Sequence, residues 1–340
     1  MSTPFLHIQT QGPMPEVWPA TGQVRERKPP WLKVRAPGGV NYLRVQGLMR
    51  GLGLHTICEE AHCPNMGECW EHGTATFLIM GDICTRGCRF CAVTKGKPSP
   101  LDPQEPARLA TAIARLNLRH VVVTSVNRDD LPDKGAGAFA AVIREARARC
   151  PQTSIEVLIP DLRGALDGLD EILEARPDIL NHNMETVRRL YQRVRPGADY
   201  DHSLALLRRA RVRGRPGLVT KAGFMVGVGE TRAELQDLMV DLRGVDCEVL
   251  TAGQYLRPSE WHLPIVRYYA PEEFADIKRA GLALGFRHVE SGPLVRSSYH
   301  AADQVPAAPP PAAPVPLPSA GPRTPRHPVS LARTGSRIPG

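Results

Sequence analysis

Six of the chain's eight cysteines fall within 34 residues, and their spacing limits what can be built around them. Cys58, Cys63 and Cys69 read C-x4-C-x5-C, whereas Cys84, Cys88 and Cys91 read C-x3-C-x2-C. Structural zinc takes four protein ligands, typically from paired C-x2-C knuckles. Each triplet is one thiolate short of that set. A cubane iron–sulfur cluster held by three cysteines leaves one iron with a free position. The pattern therefore points to two 4Fe-4S clusters, each with an iron whose fourth ligand takes part in chemistry.

Two plainer readings compete. A disulfide framework belongs to short secreted chains, whereas this one has 340 residues. Its opening, MSTPFLHIQTQGPMPEVWPA, holds no apolar signal core, and Glu16 argues against an Arg-rich organellar presequence. A cytoplasmic protein is the expectation. Zinc remains open if His62 or His72 completes a ligand set.

Composition excludes little more. Hydrophobic content of 42% and charged content of 23% suit an ordinary globular domain. No apolar run approaches the ~18 residues of a membrane span. The net charge of +8 includes +3 from a Pro-rich end segment, and the rest is thinly spread. No Lys/Arg stretch with interleaved aromatics suggests a nucleic-acid groove, so neither nucleic acid nor membrane is expected as a partner.

From about residue 75, apolar strands alternate with amphipathic helices. Strands are predicted at Thr76–Met80, His120–Ser125, Ser154–Ile159, Asp178–Asn181, Leu218–Val226 and Glu248–Gln254. Helices are predicted near 103–117, 136–149, 164–175, 185–192, 201–213 and 231–243, and another at 271–284 precedes a short strand at His288–Ser291. This rhythm gives βαβ units and a parallel sheet. Six units are too few for a full eightfold barrel, so the fold class expected is α/β, a partial (β/α)6 TIM-type barrel. A doubly wound sheet is disfavoured because the second cysteine triplet, not a G-x-G-x-x-G loop, follows the first strand.

The expected domains are an N-terminal extension carrying the first triplet (1–72), with Trp18 and Trp31 as anchors, the barrel (73–302), and a disordered Pro/Ala-rich tail (303–340). The tail holds 11 of the 33 prolines and cannot bury enough apolar surface to order itself. In parallel α/β folds functional groups gather at the C-terminal ends of strands. Thr124, Ser125 and Asn127, then Asn181, His182, Asn183 and Glu185, then Gln254 and Tyr255 occupy such ends. Cys150 and Cys247 stand apart from both triplets and are expected to pack as small apolar residues.

C-x3-C-x2-C after the first strand of a partial barrel, with Phe90 before its last cysteine, resembles the radical S-adenosylmethionine superfamily. Within it, CEEAHCPNMGECW, GTATFLIMGDICTRGCRFCAV, VVVTSVNRDDLPD, NHNMETV, VRPGADYDHSL, KAGFMVGVGE, GQYLRPSEWHLP and GPLVRSSYH resemble segments of the lipoyl synthase family, in family order, over about residues 25–301. Ala222 and Ala252 depart from common family residues, and neither is a ligand.

The resemblance implies a sulfurtransferase that inserts two sulfur atoms, at C6 and C8, into an octanoyl chain amide-linked to a lysine of a carrier protein. Cys84, Cys88 and Cys91 would hold the cluster that cleaves S-adenosylmethionine to a 5′-deoxyadenosyl radical. Cys58, Cys63 and Cys69 would hold an auxiliary cluster that donates sulfur. A serine of RSSY would be its fourth ligand; Ser297 is preferred here over Ser298. Serinate is a harder match than thiolate for a sulfide-bridged iron, which suits an iron meant to be lost. Asn183, Glu185 and Arg195 would bind S-adenosylmethionine. Implied partners are octanoylated lipoyl domains of 2-oxoacid dehydrogenases, the glycine cleavage H protein, a ferredoxin- or flavodoxin-type reductant, and an iron–sulfur cluster carrier. Rival readings are a methylthiotransferase, which usually adds a C-terminal RNA-binding domain, and a zinc protein binding nucleic acid. Elemental analysis is expected to find about eight iron and eight acid-labile sulfide per chain, as two cubanes require; zinc alone would support the last reading.

Overall fold

The computed structural model describes residues 28–34, 37–72 and 74–304. The expectations for Trp18 and for a disordered tail, apart from the tail's first two residues, lie outside them. Ten strands occur among the described residues: β1 (His55–Thr56), β2 (Thr76–Ile79), β3 (Ile83–Cys84), β4 (Thr94–Lys95), β5 (His120–Ser125), β6 (Ser154–Leu158), β7 (Ile179–Asn181), β8 (Val219–Val226), β9 (Val249–Gln254) and β10 (His288–Gly292). The α-helices are α1 (Val40–Gly51), α2 (Ile57–Glu60), α3 (Met66–Glu71), α4 (Glu105–Leu116), α5 (Ala136–Arg149), α6 (Leu166–Glu174), α7 (Tyr191–Val194), α8 (Tyr200–Arg213), α9 (Arg232–Arg243) and α10 (Pro271–Ala283).

β2, β5, β6, β7, β8, β9 and β10 pair in that order, all parallel, and β1 adds antiparallel to β2 at one edge. Six βα units followed by a seventh strand make the partial barrel that the sequence predicts. Its strands are buried on both faces because helices cover the outside, so they read as apolar runs rather than alternating ones. Phe77, Leu78 and Ile79 of β2 and Val121 to Val123 of β5 are buried throughout. Helix ends follow local chemistry. Thr231 and Glu234 form a reciprocal cap at the start of α9, and Pro271 opens α10 where no intrahelical N–H is needed.

Three features escaped the sequence reading. β1, β3 and β4 are two-residue strands, too short to show periodicity. Residues 185–192 do not form the predicted helix; Glu185 adopts a left-handed backbone and bridges to Phe224 on β8, followed by a 3-10 turn at Arg188–Leu190 and the short α7. Trp31 is 40% exposed rather than an anchor; the extension is held instead by Trp70, fully buried and packed on Tyr42 with ring centroids 5.0 Å apart. No helix of the described residues is long and apolar enough to cross a membrane.

The inside of the barrel carries a charged group of side chains. Lys221 on β8 and Glu156 on β6 are both fully buried, 2.9 Å apart, and Asn181 on β7 donates to the same carboxylate at 2.9 Å. His120 lies 3.4 Å from it. Burial raises the pKa of Glu156, but Lys221 and His120 outweigh it and hold the carboxyl down at about 2. The carboxylate's contribution to stability is thus present above the ordinary carboxylate range and lost as pH falls from there through about 2. Lys221→Met, which strands the carboxylate, should destabilise by about 3–5 kcal/mol. The Lys221→Met/Glu156→Leu pair should recover most of that loss, as read by urea unfolding at neutral pH.

Candidate active site

The second cysteine triplet sits where the first parallel strand ends. Met80 and Gly81 both take left-handed backbone conformations and turn the chain out of β2. β3 and β4 then pair in parallel, with Cys84 opposite Lys95, which fixes both ends of the loop carrying Cys88 and Cys91. Neighbouring strand ends fasten the loop from outside. Thr85 N–H donates to the Asn127 carbonyl at 3.1 Å, and the Asn127 N–H donates back to Cys84 Sγ at 3.3 Å. The buried Arg86 guanidinium reaches Asp129 and Asp161, both at 2.7 Å, and so ties the loops after β2, β5 and β6 together. From the other side, His262 Nε2 lies 2.9 Å from the Cys91 carbonyl, and Arg89 N–H donates to the Val194 carbonyl at 3.0 Å.

Asn183, Glu185 and Arg195 meet beside this loop. Asn183 Nδ2 donates to Glu185 Oε1 at 2.9 Å and to Ser297 Oγ at 2.7 Å. Arg195 donates to the Asn183 carbonyl and to the Tyr191 hydroxyl, each at 2.7 Å. Burial pushes the Glu185 carboxyl up, opposed by Arg195, Asn183 and Arg296. Its left-handed backbone is a strained conformation of the kind that collects at functional sites. The Asn183 amide oxygen is buried without a hydrogen-bond partner among the described residues, so the cradle offers an acceptor to a bound N–H group. A Cβ on Gly223 would meet Thr251, Asn183 and Ser297 together, so these side chains converge on one space above β8.

The first triplet lies across from it. Thr56 caps α2 and places Cys58 in its first turn; Cys63 N–H returns to the Cys58 carbonyl at 2.9 Å, and Cys69 sits on α3. Trp70 and Thr76 both face the Cys58 sulfur. Burial pushes Cys58 up to about 11, Cys69 to about 12 and Cys91 to about 12, and it raises Cys63 and Cys88 as well. Two groups of three cysteines form a donor set suited to a soft metal centre, whose binding displaces the thiol protons. Among the described residues, the three donors that come within 4.8 Å of one another are His55, Glu60 and Asp82. Neither cysteine triplet closes to that spacing among the described residues.

The segment Arg296–Tyr299 runs between the triplets. Its approach to β9 is so close that a side chain on Gly253 would strike the Val295 carbonyl. Arg296 lies within electrostatic reach of both Cys63 and Glu185. Ser297 turns to Asn183, Ser298 accepts from Thr76 Oγ1 at 2.7 Å, and Tyr299 donates to Glu68 at 3.3 Å. Ser298 is thus turned toward Thr76, which faces the Cys58 sulfur, whereas Ser297, the serine that the sequence reading prefers as a ligand, is turned toward Asn183. Asn65 Nδ2 donates to the Leu294 carbonyl at 2.7 Å and ties that triplet's loop to the same segment.

Several strand-end residues have structural employment instead. His182 is buried against the Ile159 carbonyl and Ser203, and burial beside Arg195 lowers it to about 4. Gln254 donates to the carbonyls of Val226, Tyr255 and Arg267, and Thr124 to that of Leu158. Cys247 is fully buried against backbone carbonyls. The Arg86 clamp, Thr76 and His262 are the site residues that the sequence reading missed.

Residues 78–242 match the radical SAM superfamily, and residues 15–63 match the N-terminal domain of lipoyl synthase of the radical SAM family. The chain is 58% identical to the lipoyl synthase of Roseiflexus sp. (strain RS-1) over 277 residues, 82% of this chain and 92% of that one. It is also 58% identical to the lipoyl synthase of Chloroflexus aurantiacus over 284 residues, 83% and 92% of the two chains. Among solved structures, methylornithine synthase aligns over 73% of this chain and 82% of its own at 15% identity, with a TM-score of 0.44.

The clamp makes its own prediction. Arg86→Lys keeps the charge but cannot span two carboxylates. In metal-free protein this variant should show faster alkylation of Cys88 and Cys91, read peptide by peptide in a mass spectrometer, with Cys58 and Cys69 unaffected.

Proposed function

This chain belongs to the lipoyl synthase family of radical S-adenosylmethionine enzymes, and from that premise we propose how its residues divide the work. The enzyme inserts two sulfur atoms, at C6 and C8, into a protein-bound octanoyl group, using S-adenosylmethionine and two 4Fe-4S clusters. When bound, these groups supply a carbon radical able to take hydrogen from unactivated C–H bonds, and the sulfur that replaces it.

Cys84, Cys88 and Cys91 hold the radical-generating cluster. Backbone N–H groups of Arg86 and Asn127 already point at the Cys84 sulfur, where such bonds tune a cluster's potential. Asn183, Glu185 and Arg195 hold S-adenosylmethionine: the free Asn183 oxygen and the Glu185 carboxylate suit its amino group, and Arg195 suits its carboxylate. Cys58, Cys63 and Cys69 hold the sulfur-donating cluster, and the fourth ligand is Ser298. The observation that supports this division is the Arg296–Tyr299 segment, where Ser297 turns to Asn183 and Ser298 to Thr76 beside Cys58.

The N-terminal extension (1–72) is the auxiliary-cluster module and 73–302 the radical barrel, with 303–340 dispensable for catalysis. The acyl carriers are lipoyl domains of 2-oxoacid dehydrogenases and the glycine cleavage H protein. A ferredoxin- or flavodoxin-type reductant and an iron–sulfur cluster carrier complete the cycle in the cytoplasm.

The direct test is conversion of an octanoylated carrier domain to the lipoylated form, read by intact mass. Alanine at Cys84, Cys88 or Cys91 should abolish 5′-deoxyadenosine formation while the auxiliary cluster stays bound. Alanine at Cys58, Cys63 or Cys69 should keep some cofactor cleavage and eliminate sulfur insertion. Ser298→Ala should behave like the second group. Ser297→Ala should retain insertion and weaken cofactor binding, since Asn183 loses an acceptor. The opposite pattern at the two serines would reverse their assignment.

A further inference from the structure

The loop after β9 exposes a tryptophan on an otherwise fastened segment. Ser259 Oγ lies 2.8 Å from His262 Nδ1, and the far side of that ring lies 2.9 Å from the Cys91 carbonyl. Leu263 N–H donates to the Arg89 carbonyl at 3.0 Å, Tyr255 O–H donates to the Leu263 carbonyl at 2.8 Å, and Arg257 Nε donates to the His262 carbonyl at 2.9 Å. Between these fixed points the Trp261 side chain is 96% exposed. Indole held in water on a braced loop pays little ordering cost when a partner covers it.

Charge gathers around it. Arg89 is exposed, and its backbone bonds join Trp261's loop to Val194, next to Arg193. Among the described residues neither Arg89 nor Arg257 has a carboxylate within ion-pair distance, whereas Arg188, Arg189, Arg209, Arg232 and Arg267 all do. Arg193 is depressed by desolvation and by the neighbouring Arg89 and Arg189. The loop's own acid is Glu260. Crowded like charges of this kind are relieved by an acidic partner, and Trp with Arg is the combination that dominates protein interfaces.

We propose that Trp261, Arg89 and Arg193 form the docking surface for an acidic face of the octanoylated carrier domain, which holds its acyl-lysine at the barrel mouth. This rests on the reaction assigned above. The carrier is favoured over the reductant because its acyl-lysine must itself reach the space beside Cys84–Cys91, and this surface borders that loop, whereas an electron can cross a gap.

The test compares two substrates with dithionite as reductant: the octanoylated carrier domain, and a short octanoyl-lysyl peptide lacking the domain surface. Trp261→Ala and Arg89→Gln should each raise KM for the carrier about tenfold or more, with kcat and the peptide KM within about twofold. Added salt should raise the wild-type KM for the carrier and not for the peptide. The proposal is overturned if carrier KM is unmoved, or if peptide turnover falls equally. It is also overturned if a defect arises only when a flavodoxin-type protein replaces dithionite, since the surface would then belong to the reductant. Wild-type protein converting neither substrate would instead overturn the reaction assignment.

Discussion

The contact on which the site depends is between Thr76, at the start of the first parallel strand, and Ser298, beyond the last, with hydroxyl oxygens 2.7 Å apart across 222 residues. A sheet of seven parallel strands has open edges, and an edge strand left exposed is a template for unwanted pairing. Here the chain after β10 returns across the mouth toward β2 and packs so tightly on β9 that only glycine fits at position 253. The same return brings Arg296–Tyr299 between two groups of cysteines that the sequence places on separate loops. The same segment thus makes contacts that close the fold and contacts that line the site.

That arrangement explains why the two cysteine groups were legible in the sequence and the partners of the two serines were not. Spacing within each triplet is local, and three thiolates in a short loop carry their meaning without tertiary information. Whether Ser297 or Ser298 faces the first triplet is decided by which hydroxyl meets Thr76 and which meets Asn183, contacts more than 100 residues distant in sequence. The two serines sit inside a turn closed by the Tyr299 N–H on the Arg296 carbonyl, and such a turn sends neighbouring hydroxyls to different partners, which local sequence does not reveal.

The strands and helices of the barrel were legible for the same local reason, since six βα units repeat an apolar rhythm that burial on both faces demands. The exception is instructive. Val187, Leu190, Tyr191 and Val194 are spaced like a helix face, and all are buried. Yet Glu185 is held left-handed, its N–H on the Gly223 carbonyl and its carbonyl taking the Met225 N–H, each at 3.0 Å. Two backbone bonds to β8 outweigh helix propensity there, and they aim the Glu185 carboxylate at Asn183 instead of into solvent.

Charge is used differently at the two depths of the barrel. On the inside, the fully buried Lys221 and Glu156 cancel each other's charge. At the mouth, Arg86 is fully matched by Asp129 and Asp161, so it locks loops and has nothing left to offer a ligand. Arg195 and Arg296 are matched less completely. Arg296 donates at 2.6 Å to the carbonyl next to it, and no carboxylate lies within ion-pair distance among the described residues. The positive charge left over thus faces the space between the two cysteine groups, where the anionic clusters and the carboxylate-bearing cofactor are proposed to bind. A fully neutralised mouth would be a more stable one, and it would have nothing with which to hold them.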